Sequence, residues 1–431
     1  MTGRIYIEDI AQHEGQRVTL QGWITGRRSS GKILFLQFRD GTGFIQCVGG
    51  RADLGDELFD RADHLPIESA IRVTGEVRAD ARAPSGFELG LSGIEVVHEA
   101  EEYPIGRKEH GDSFLLDHRH LWIRQSQQFA VLRIRATIIS AVREYLDGHG
   151  YLNIDTPILT PAACEGTTTL FETEYFDERA YLTQSGQLYN EATAMAFGRV
   201  YCFGPALRAE KSKTRRHLIE FWQVEPEIAY ASLDDVLDIQ EELVCFVVER
   251  LLRDRRSEFA ILKRDLALLE RVKAPFPRVT YTEMVDLLNE KGVEFAWGDD
   301  FGAPDEAVIS ESFDRPVMVT RYPRGVKPFY MAIDPEDERL TLSVDMLAPE
   351  GYGEIVGGGE RLADLATLEA AVDAGALPRA DYEWYLDLRR YGSVPHGGFG
   401  MGIERLTTWV CGIHHIRETI AFPRMLNRLR P

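Results

Sequence analysis

The sequence predicts an α+β chain: a large domain on an antiparallel sheet, preceded by a small N-terminal β-barrel. Three observations carry this. Five short β-rich runs with turn residues between them fill residues 1–100. Long helix-periodic segments follow. The later β-like runs do not alternate regularly with helices, as a doubly wound sheet would require.

Each element has its own signal. Residues 18–25 alternate apolar and polar positions, and residues 32–39 form a β-rich run that ends at the turn Asp40-Gly41-Thr42-Gly43. Residues 44–48, 70–77 and 88–91 complete the five strands. The charged, Pro-bearing stretch at 99–106 breaks the pattern. The expected organisation is a barrel over 1–100, a hinge over 101–128 and the large domain over 129–431. Within 129–146, Leu132, Ile134, Ile138, Ile139, Val142, Tyr145 and Leu146 recur at helical spacing, with Gly148 and Gly150 as the stop. Residues 151–157 then extend into Pro157, which disfavours helix before it. A second long helix is expected over 233–262, with β-like runs at 199–203 and 218–224. No internal repeat is visible.

Composition narrows the function classes. The 431 residues suit two or three domains, and 44% hydrophobic with 27% charged residues supports an ordered core. With 69 acidic against 49 basic residues, a net charge of -20, the chain is no general cationic coat for nucleic acid, although a local basic site remains open. No apolar run approaches the ~20 residues of a membrane span, so no membrane partner is expected. The N-terminal segment lacks a basic-then-apolar signal pattern, so secretion is not expected either. Five scattered cysteines, none in C-x-x-C spacing, argue against a disulfide framework or structural zinc. A cytoplasmic location fits.

Three constellations carry chemistry. Residues 208–217 hold Arg208, Lys211, Lys213, Arg215, Arg216 and His217 with a single acid, Glu210. In so acidic a chain, a basic loop between strands is aimed at a polyanion, because Arg grips phosphate oxygens bidentately. Taken alone it is equally a solvated hairpin tip. Phe221, just beyond, either stacks on a base or packs in the core. The second is Gly397-Gly-Phe-Gly-Met-Gly-Ile-Glu-Arg405: alternating glycines let a strand lie against something flat, and Arg405 falls at a strand–helix junction. It is neither a dinucleotide fingerprint nor a P-loop. The third is the pair Asp345 and Glu354, two carboxylates suited to Mg²⁺ shared with phosphate oxygens, or simply surface acids.

Taken together, R-A-E-x-S-x-T-x-R-H-L-x-E-F from Arg208, G-x-G-x-E-R ending at Arg405, and the helix–strand ending at Pro157 resemble the three motifs of class II aminoacyl-tRNA synthetases, and they occur in the right order along the chain. The N-terminal barrel, an OB-fold in that family, resembles the aspartate/asparagine/lysine subgroup, and the pocket is most similar to its asparagine-activating branch. The resemblance spans essentially the whole chain. It implies an antiparallel sheet flanked by helices that holds bent ATP, with Arg208 on the α-phosphate and Glu210, Arg216 and His217 in the ATP loop. Phe221 and Arg405 would enclose adenine, Arg405 also lying near the γ-phosphate, and Asp345 and Glu354 would hold Mg²⁺. Arg208 and Arg405 are the implied catalytic groups.

The resemblance also implies an amino-acid pocket. Ser185 and Gln187 would line the α-amino end, and Glu165 belongs to a segment, 165–169, similar to the family's closing loop. Arg361 matches the donor to the side-chain carbonyl and Glu225 the acceptor from an asparagine amide. Where aspartate enzymes carry a Lys, this chain has Asn190, followed by Glu191. An amide offers one acceptor and two donors, so it suits one Arg and one carboxylate. Aspartate would instead set like charges together in a closed pocket, at a cost of several kcal/mol, or ~10³-fold discrimination. Two positions depart from the family: Gly359-Glu360 stands where Ser-Gln is expected, and Asn190 is larger than usual.

On the barrel, residues 17–40 carry Arg17, Arg27, Arg28, Lys32 and Arg39 against Asp40. Arg28, Phe35 and Gln46 match anticodon-contacting positions, Phe35 by stacking and Gln46 by bonding a base edge; Phe35 could also be strand core. The implied substrates are ATP, L-asparagine and tRNA(Asn), and the implied assembly is a homodimer through the helix at 129–146 and the strand to Pro157. The rivals are an aspartate-activating enzyme that charges one or both tRNAs, a silent paralogue that binds tRNA or senses amino acids, and an adenylate-forming asparagine synthetase. The last would have no use for the barrel.

Overall fold

The computed structural model describes residues 4–83, 85–106, 108–164 and 169–431. The chain divides into two compact units, Met1–Leu115 and Leu116–Pro431.

The first unit is a closed five-stranded barrel in the order β1-β2-β3-β5-β4. Its strands are β1 (Arg17–Ser30), β2 (Ile33–Arg39), β3 (Phe44–Gly50), β4 (Ala70–Ala79) and β5 (Phe87–His98). Period-two alternation turns Leu34, Leu36 and Phe38 inward with Val18, Leu20, Ile45, Val73 and Leu89. Closure is tight at Gly22, where a Cβ would stand 2.0 Å from the Arg39 carbonyl oxygen. A helix at Asp56–His64 lies between β3 and β4 in sequence and contributes Phe59 and Ala62 to the core. Sequence patterning did not mark this helix, because its apolar stripe is too short.

The second unit carries the remaining strands: β6 (Leu152–Asn153), β7 (Leu159–Thr160), β8 (Glu172–Tyr175), β9 (Glu178–Leu182), β10 (Arg199–Leu207), β11 (Glu220–Ala229), β12 (Arg278–Thr280), β13 (Val317–Thr320), β14 (Ser343–Ala348), β15 (Gly353–Glu360) and β16 (His396–Gly402). Eight of them form one sheet in the order β12-β13-β14-β15-β16-β11-β10-β6. Its interior pairings are antiparallel, as predicted; only the outermost pairs, β12 with β13 and β10 with β6, are parallel.

One face of this sheet packs into the main core. Val224, Ile228, Met318, Val344, Met346, Val356, Phe399 and Met401 share a core with the helices Ser126–Gly148, Leu233–Asp254 and Ile403–Cys411. The first of these helices is a turn longer than its periodicity predicts. It ends where Gly150 takes φ +78° and the Tyr151 N–H returns to the Leu146 carbonyl at 3.0 Å. The expected single helix over 233–262 is instead two, Leu233–Asp254 and Arg256–Leu262. The break falls at Arg255, φ -128°, whose Nε donates to Thr137 Oγ1 at 2.6 Å. Apolar spacing runs straight through this break, because side-chain pairing makes it. Ser232 and Asp235 form a capping box at the start of the longer helix.

On the opposite face, Val317, Val319 and Leu347 pack under the helix Tyr281–Glu290. The helices Leu365–Ala374 and Arg379–Arg390 build a separate core with Leu188, Tyr330 and Leu362. That face of β15, β16 and β11 bears glycines and charged side chains.

Candidate active site

Period-two alternation along β11 sets Phe221, Gln223, Glu225 and Glu227 in a row on the face away from the core, since Val224 and Ile228 point into it. Register places Gly402 opposite Gln223 and Gly398 opposite Glu227, and then Gly357 opposite Gly400 and Gly359 opposite Gly398. The central strands therefore present backbone rather than side chains. At Gly398 a Cβ would stand 2.3 Å from the Glu227 carboxylate. At Gly400 the nearest atom would be Gln223 Nε2 at 3.5 Å, which leaves a shallow floor.

Charge crowds one end of this floor. The loop between β10 and β11 starts at Arg208, whose N–H donates to the Ile219 carbonyl at 2.9 Å and whose Cζ lies 5.4 Å from the centroid of the Phe221 ring. Glu210 lies in the same loop, its carbonyl accepting the Ser212 N–H at 2.9 Å. Arg216 reaches across the sheet to Glu306 Oε2 at 2.9 Å and to the Gly351 carbonyl. Thr214 Oγ1 bonds the Nδ1 of His217. Burial, then Arg405 and Arg208, push His217 down to about 4, so its ring is neutral at neutral pH. Arg405 opens the helix after β16, and its Nη1 donates to Glu354 Oε2 at 2.7 Å and to the Glu354 carbonyl at 3.2 Å. A cavity of about 190 Å³ adjoins Arg216 and Arg405 and is lined as well by Arg215, Tyr352 and His414.

The carboxylates Asp345 and Glu354 flank Gly357. A Cβ there would sit 3.3 Å from Asp345 Oδ1 and 2.8 Å from Glu354 Oε1, so the glycine keeps open the space between them. Lys327 Nζ donates to Asp345 Oδ2 at 2.5 Å. Glu306 accepts the Glu354 N–H at 3.0 Å. Burial raises the Glu354 carboxyl, but Arg405 and Lys327 outweigh it and hold it below the usual carboxylate range. Burial, countered by Lys327 but reinforced by Glu354, leaves Asp345 above that range. Among the described residues, no three or more His, Cys, Asp or Glu side chains gather as a metal cage. Two all-oxygen ligands with room between them nonetheless fit Mg²⁺, which is held by one or two carboxylates and otherwise by waters and phosphates.

The other end of the floor is sealed. Ser185 Oγ donates to Glu225 Oε1, the Gly186 N–H to Glu225 Oε2 at 2.9 Å, and Cys202 Sγ approaches Oε2 at 3.2 Å. Asn190 Nδ2 donates to the Glu225 carbonyl at 2.8 Å, which ties the helix Gln187–Phe197 to β11. Arg361 pairs with Glu227. Its Nη2 meets Glu227 Oε1 at 2.5 Å and its Cζ lies 5.4 Å from the Tyr330 ring centroid. That carboxylate holds the Arg361 guanidinium above its ordinary value against burial. Gln187 Nε2 donates to Glu191 Oε1 at 3.1 Å. Glu165 lies outside the described residues.

In the barrel, Phe35 faces away from the core, since Leu34 and Leu36 fill it. Phe35 stands opposite Arg28 in the β1–β2 register, with the Arg28 Cζ 4.5 Å from its ring centroid. Gln46 pairs with Gln37 across β2 and β3 and accepts its Nε2–H at 3.3 Å. Arg39, counted among the basic residues of this stretch, is buried and paired with Glu68 beneath Trp23, so it adds nothing to a basic surface.

Six residues around these groups escaped the sequence reading. Glu227 had a usable signal, being two residues beyond Glu225 and so on the same face of one strand. Lys327, Glu306 and the group Tyr385–Arg389–His396 around Glu191 had none, because they arrive from separate elements far along the chain.

Comparison with known proteins agrees with this geometry. Residues 111–426 match the family model described as tRNA synthetases class II (D, K and N), and residues 18–99 match the OB-fold nucleic acid binding domain. An asparagine–tRNA ligase of Sorangium cellulosum is 56% identical, with 99% of each chain covered. A crystal structure of asparaginyl-tRNA synthetase from Pyrococcus horikoshii, complexed with asparaginyl-adenylate, superposes with a TM-score of 0.95 at 45% identity over 100% of both chains. An aspartyl-tRNA synthetase from Entamoeba histolytica is more distant, at 25% identity and a TM-score of 0.83, over 100% of this chain and 93% of that one. With a matching model over most of its length and full-length relatives above half identity, the chain belongs to the class II tRNA synthetases of the aspartate, lysine and asparagine group.

Proposed function

We propose that the chain is an asparagine–tRNA ligase: it activates L-asparagine with ATP to asparaginyl-adenylate and transfers the asparaginyl group to the 3′ end of tRNA(Asn). The observation that carries this reading is one face of one sheet. An aromatic ring and guanidiniums for a nucleotide stand at one end, and a buried carboxylate row with Arg361 stands at the other. The full-length relatives named asparagine–tRNA ligases support it.

The chemistry follows from placement. Phe221 and Arg405 enclose the adenine, and Arg208, beside the Phe221 ring, meets the α-phosphate. Arg216 and His217 face the outer phosphates from the loop after β10, and Glu210 takes part from the same loop. The substrate α-carboxylate is already ionised at neutral pH, so no general base is needed. One of its oxygens attacks the α-phosphorus, the bond to the bridging oxygen of the β-phosphate breaks, and pyrophosphate leaves. Arg208 stabilises charge at the α-phosphoryl oxygens, and the remaining rate gain is positioning. Mg²⁺ held by Asp345 and Glu354 would neutralise phosphate charge. At the far end Arg361 donates to the side-chain carbonyl oxygen and Glu225 accepts from the amide, with Ser185, Gln187 and Glu165 around the α-amino group. Anticodon bases meet Arg28, Phe35 and Gln46.

The protein acts in the cytoplasm as a homodimer joined through the helix Ser126–Gly148 and the segment to Pro157. Amino-acid-dependent pyrophosphate exchange tests the reading directly. Exchange is expected with asparagine and only weakly with aspartate; exchange with aspartate alone would overturn it.

A further inference from the structure

Behind the amino-acid end lies a polar cluster that the mechanism above does not use. Glu191 sits one turn into the helix Gln187–Phe197 with a side chain that is 0% exposed. It accepts from Tyr385 Oη at 2.7 and 2.8 Å, from Arg389 Nη2 at 2.7 Å and from Gln187 Nε2 at 3.1 Å. His396 Nε2 approaches it at 3.0 Å. The other ring nitrogen of His396 lies 2.8 Å from the Val394 carbonyl, which can only accept, so Nδ1 carries a hydrogen. Burial alone would raise Glu191, but Arg389 and His396 hold it well below the usual carboxylate range. Glu191 is therefore an ionised carboxylate that balances the Arg389 guanidinium in a dry interior.

This charge is connected to the residues that would read the substrate side chain. The Arg361 N–H donates to the His396 carbonyl at 2.8 Å, so the backbone that presents the Arg361 guanidinium is pinned to the residue that meets Glu191. Glu191 acts electrostatically on both Arg361 and Glu227. Gln187, one helical turn before Glu191, connects it to the α-amino end. In so buried a region a unit charge several ångströms away is worth far more than in water.

Resting on the asparagine reading, we propose that Glu191 is a specificity-determining residue: its buried charge balances the guanidinium of Arg389 behind Arg361, so that the pocket attracts a neutral amide and not a second carboxylate. Glu225 discriminates by direct contact with the amide. Glu191 discriminates without touching the substrate side chain, by keeping the Arg389 charge from making the pocket more positive.

Glu191→Gln is the test. Glutamine keeps Oε1 as the acceptor for Gln187 and Tyr385; it removes the charge and puts an amide NH₂ where Oε2 accepts from Arg389. Pyrophosphate exchange is measured with asparagine and with aspartate, for the natural enzyme and the variant. The expected result is a rise of roughly tenfold or more in the ratio of kcat/KM for aspartate over asparagine. A merely structural role would lower both values together, and an unchanged ratio overturns the proposal. Should that variant fail to fold, Arg389→Gln removes the opposite charge at the same carboxylate. It must shift the ratio toward asparagine, and no shift again overturns the proposal. A natural enzyme that uses aspartate alone would instead refute the asparagine reading, so the two failures are distinct.

Discussion

The two ends of the sheet floor treat charge in opposite ways. At the phosphate end the Arg405–Glu354 pair is 28% and 33% exposed, and each of its members has neighbours of either sign. At the amino-acid end Arg361 and Glu227 are 1% and 0% exposed, and Arg389 and Glu191 are both 0% exposed. Charges at the first end can exchange partners when a polyanion and a cation arrive. Those at the second cannot, because an unpaired ion has no water to turn to. On the proposed function this is a division of labour: exchangeable ion pairs would give way to a triphosphate, while locked ones would preserve a shape that distinguishes two nearly isosteric side chains.

If this is right, breaking a locked pair should harm the fold and breaking an exchangeable one should harm only the chemistry. Glu227→Leu carries the largest expected effect. It strands the Arg361 guanidinium among Tyr330, Met331 and buried backbone, and such a break costs about 3–5 kcal/mol. Urea denaturation followed by circular dichroism should show the midpoint falling accordingly; a stability close to that of the natural protein would show that this end is not locked.

Arg405→Ala is the counterpart at the open end. Thermal stability should change little, since Glu354 retains access to water. Asparagine-dependent pyrophosphate exchange should fall by ~10²–10³-fold, as when one pre-organised donor to a developing charge is lost. A stability loss as large as that of Glu227→Leu would erase the contrast between the ends.

The same contrast explains what the sequence disclosed. The phosphate end was legible because its residues lie close together in the chain: the basic loop from Arg208 to His217, Phe221 beyond it, and the glycine strand running into Arg405. The antiparallel sheet and the barrel were legible for a similar reason, since alternation and turn residues are local properties. The locked end was only half legible. Arg361 and Glu225 were visible through resemblance, but their partners come from distant segments: Glu225 holds Ser185 and Gly186, and Arg361 takes Glu227. Glu191 draws Tyr385, Arg389 and His396 from about 200 positions further on, and no spacing rule links them. Lys327 is similarly hidden, because nothing in its neighbourhood signals that it will neutralise Asp345. Burial works against the reader as well: in the sequence Arg39 looks like one more surface cation, yet it folds inward onto Glu68.

The finest division between the ends runs along β16, between two glycines two residues apart. Both lie on the site face, where period-two alternation puts them. At Gly398 an added Cβ would meet the Glu227 carboxylate and the Pro226 carbonyl oxygen, each at 2.3 Å, and neither can retreat. Gly398→Ala should therefore destabilise the fold by about 1–3 kcal/mol through overpacking, besides disturbing the partner of Arg361. At Gly400 the same methyl would find its neighbours no closer than 3.5 Å, an ordinary van der Waals contact. Gly400→Ala should leave the melting temperature nearly unchanged and raise KM for ATP or asparagine a few-fold, because the methyl would project into the space a substrate occupies. A variant pair in which both glycines cost stability, or neither does, would mean that the floor does not pass from sealed to open between Gly398 and Gly400.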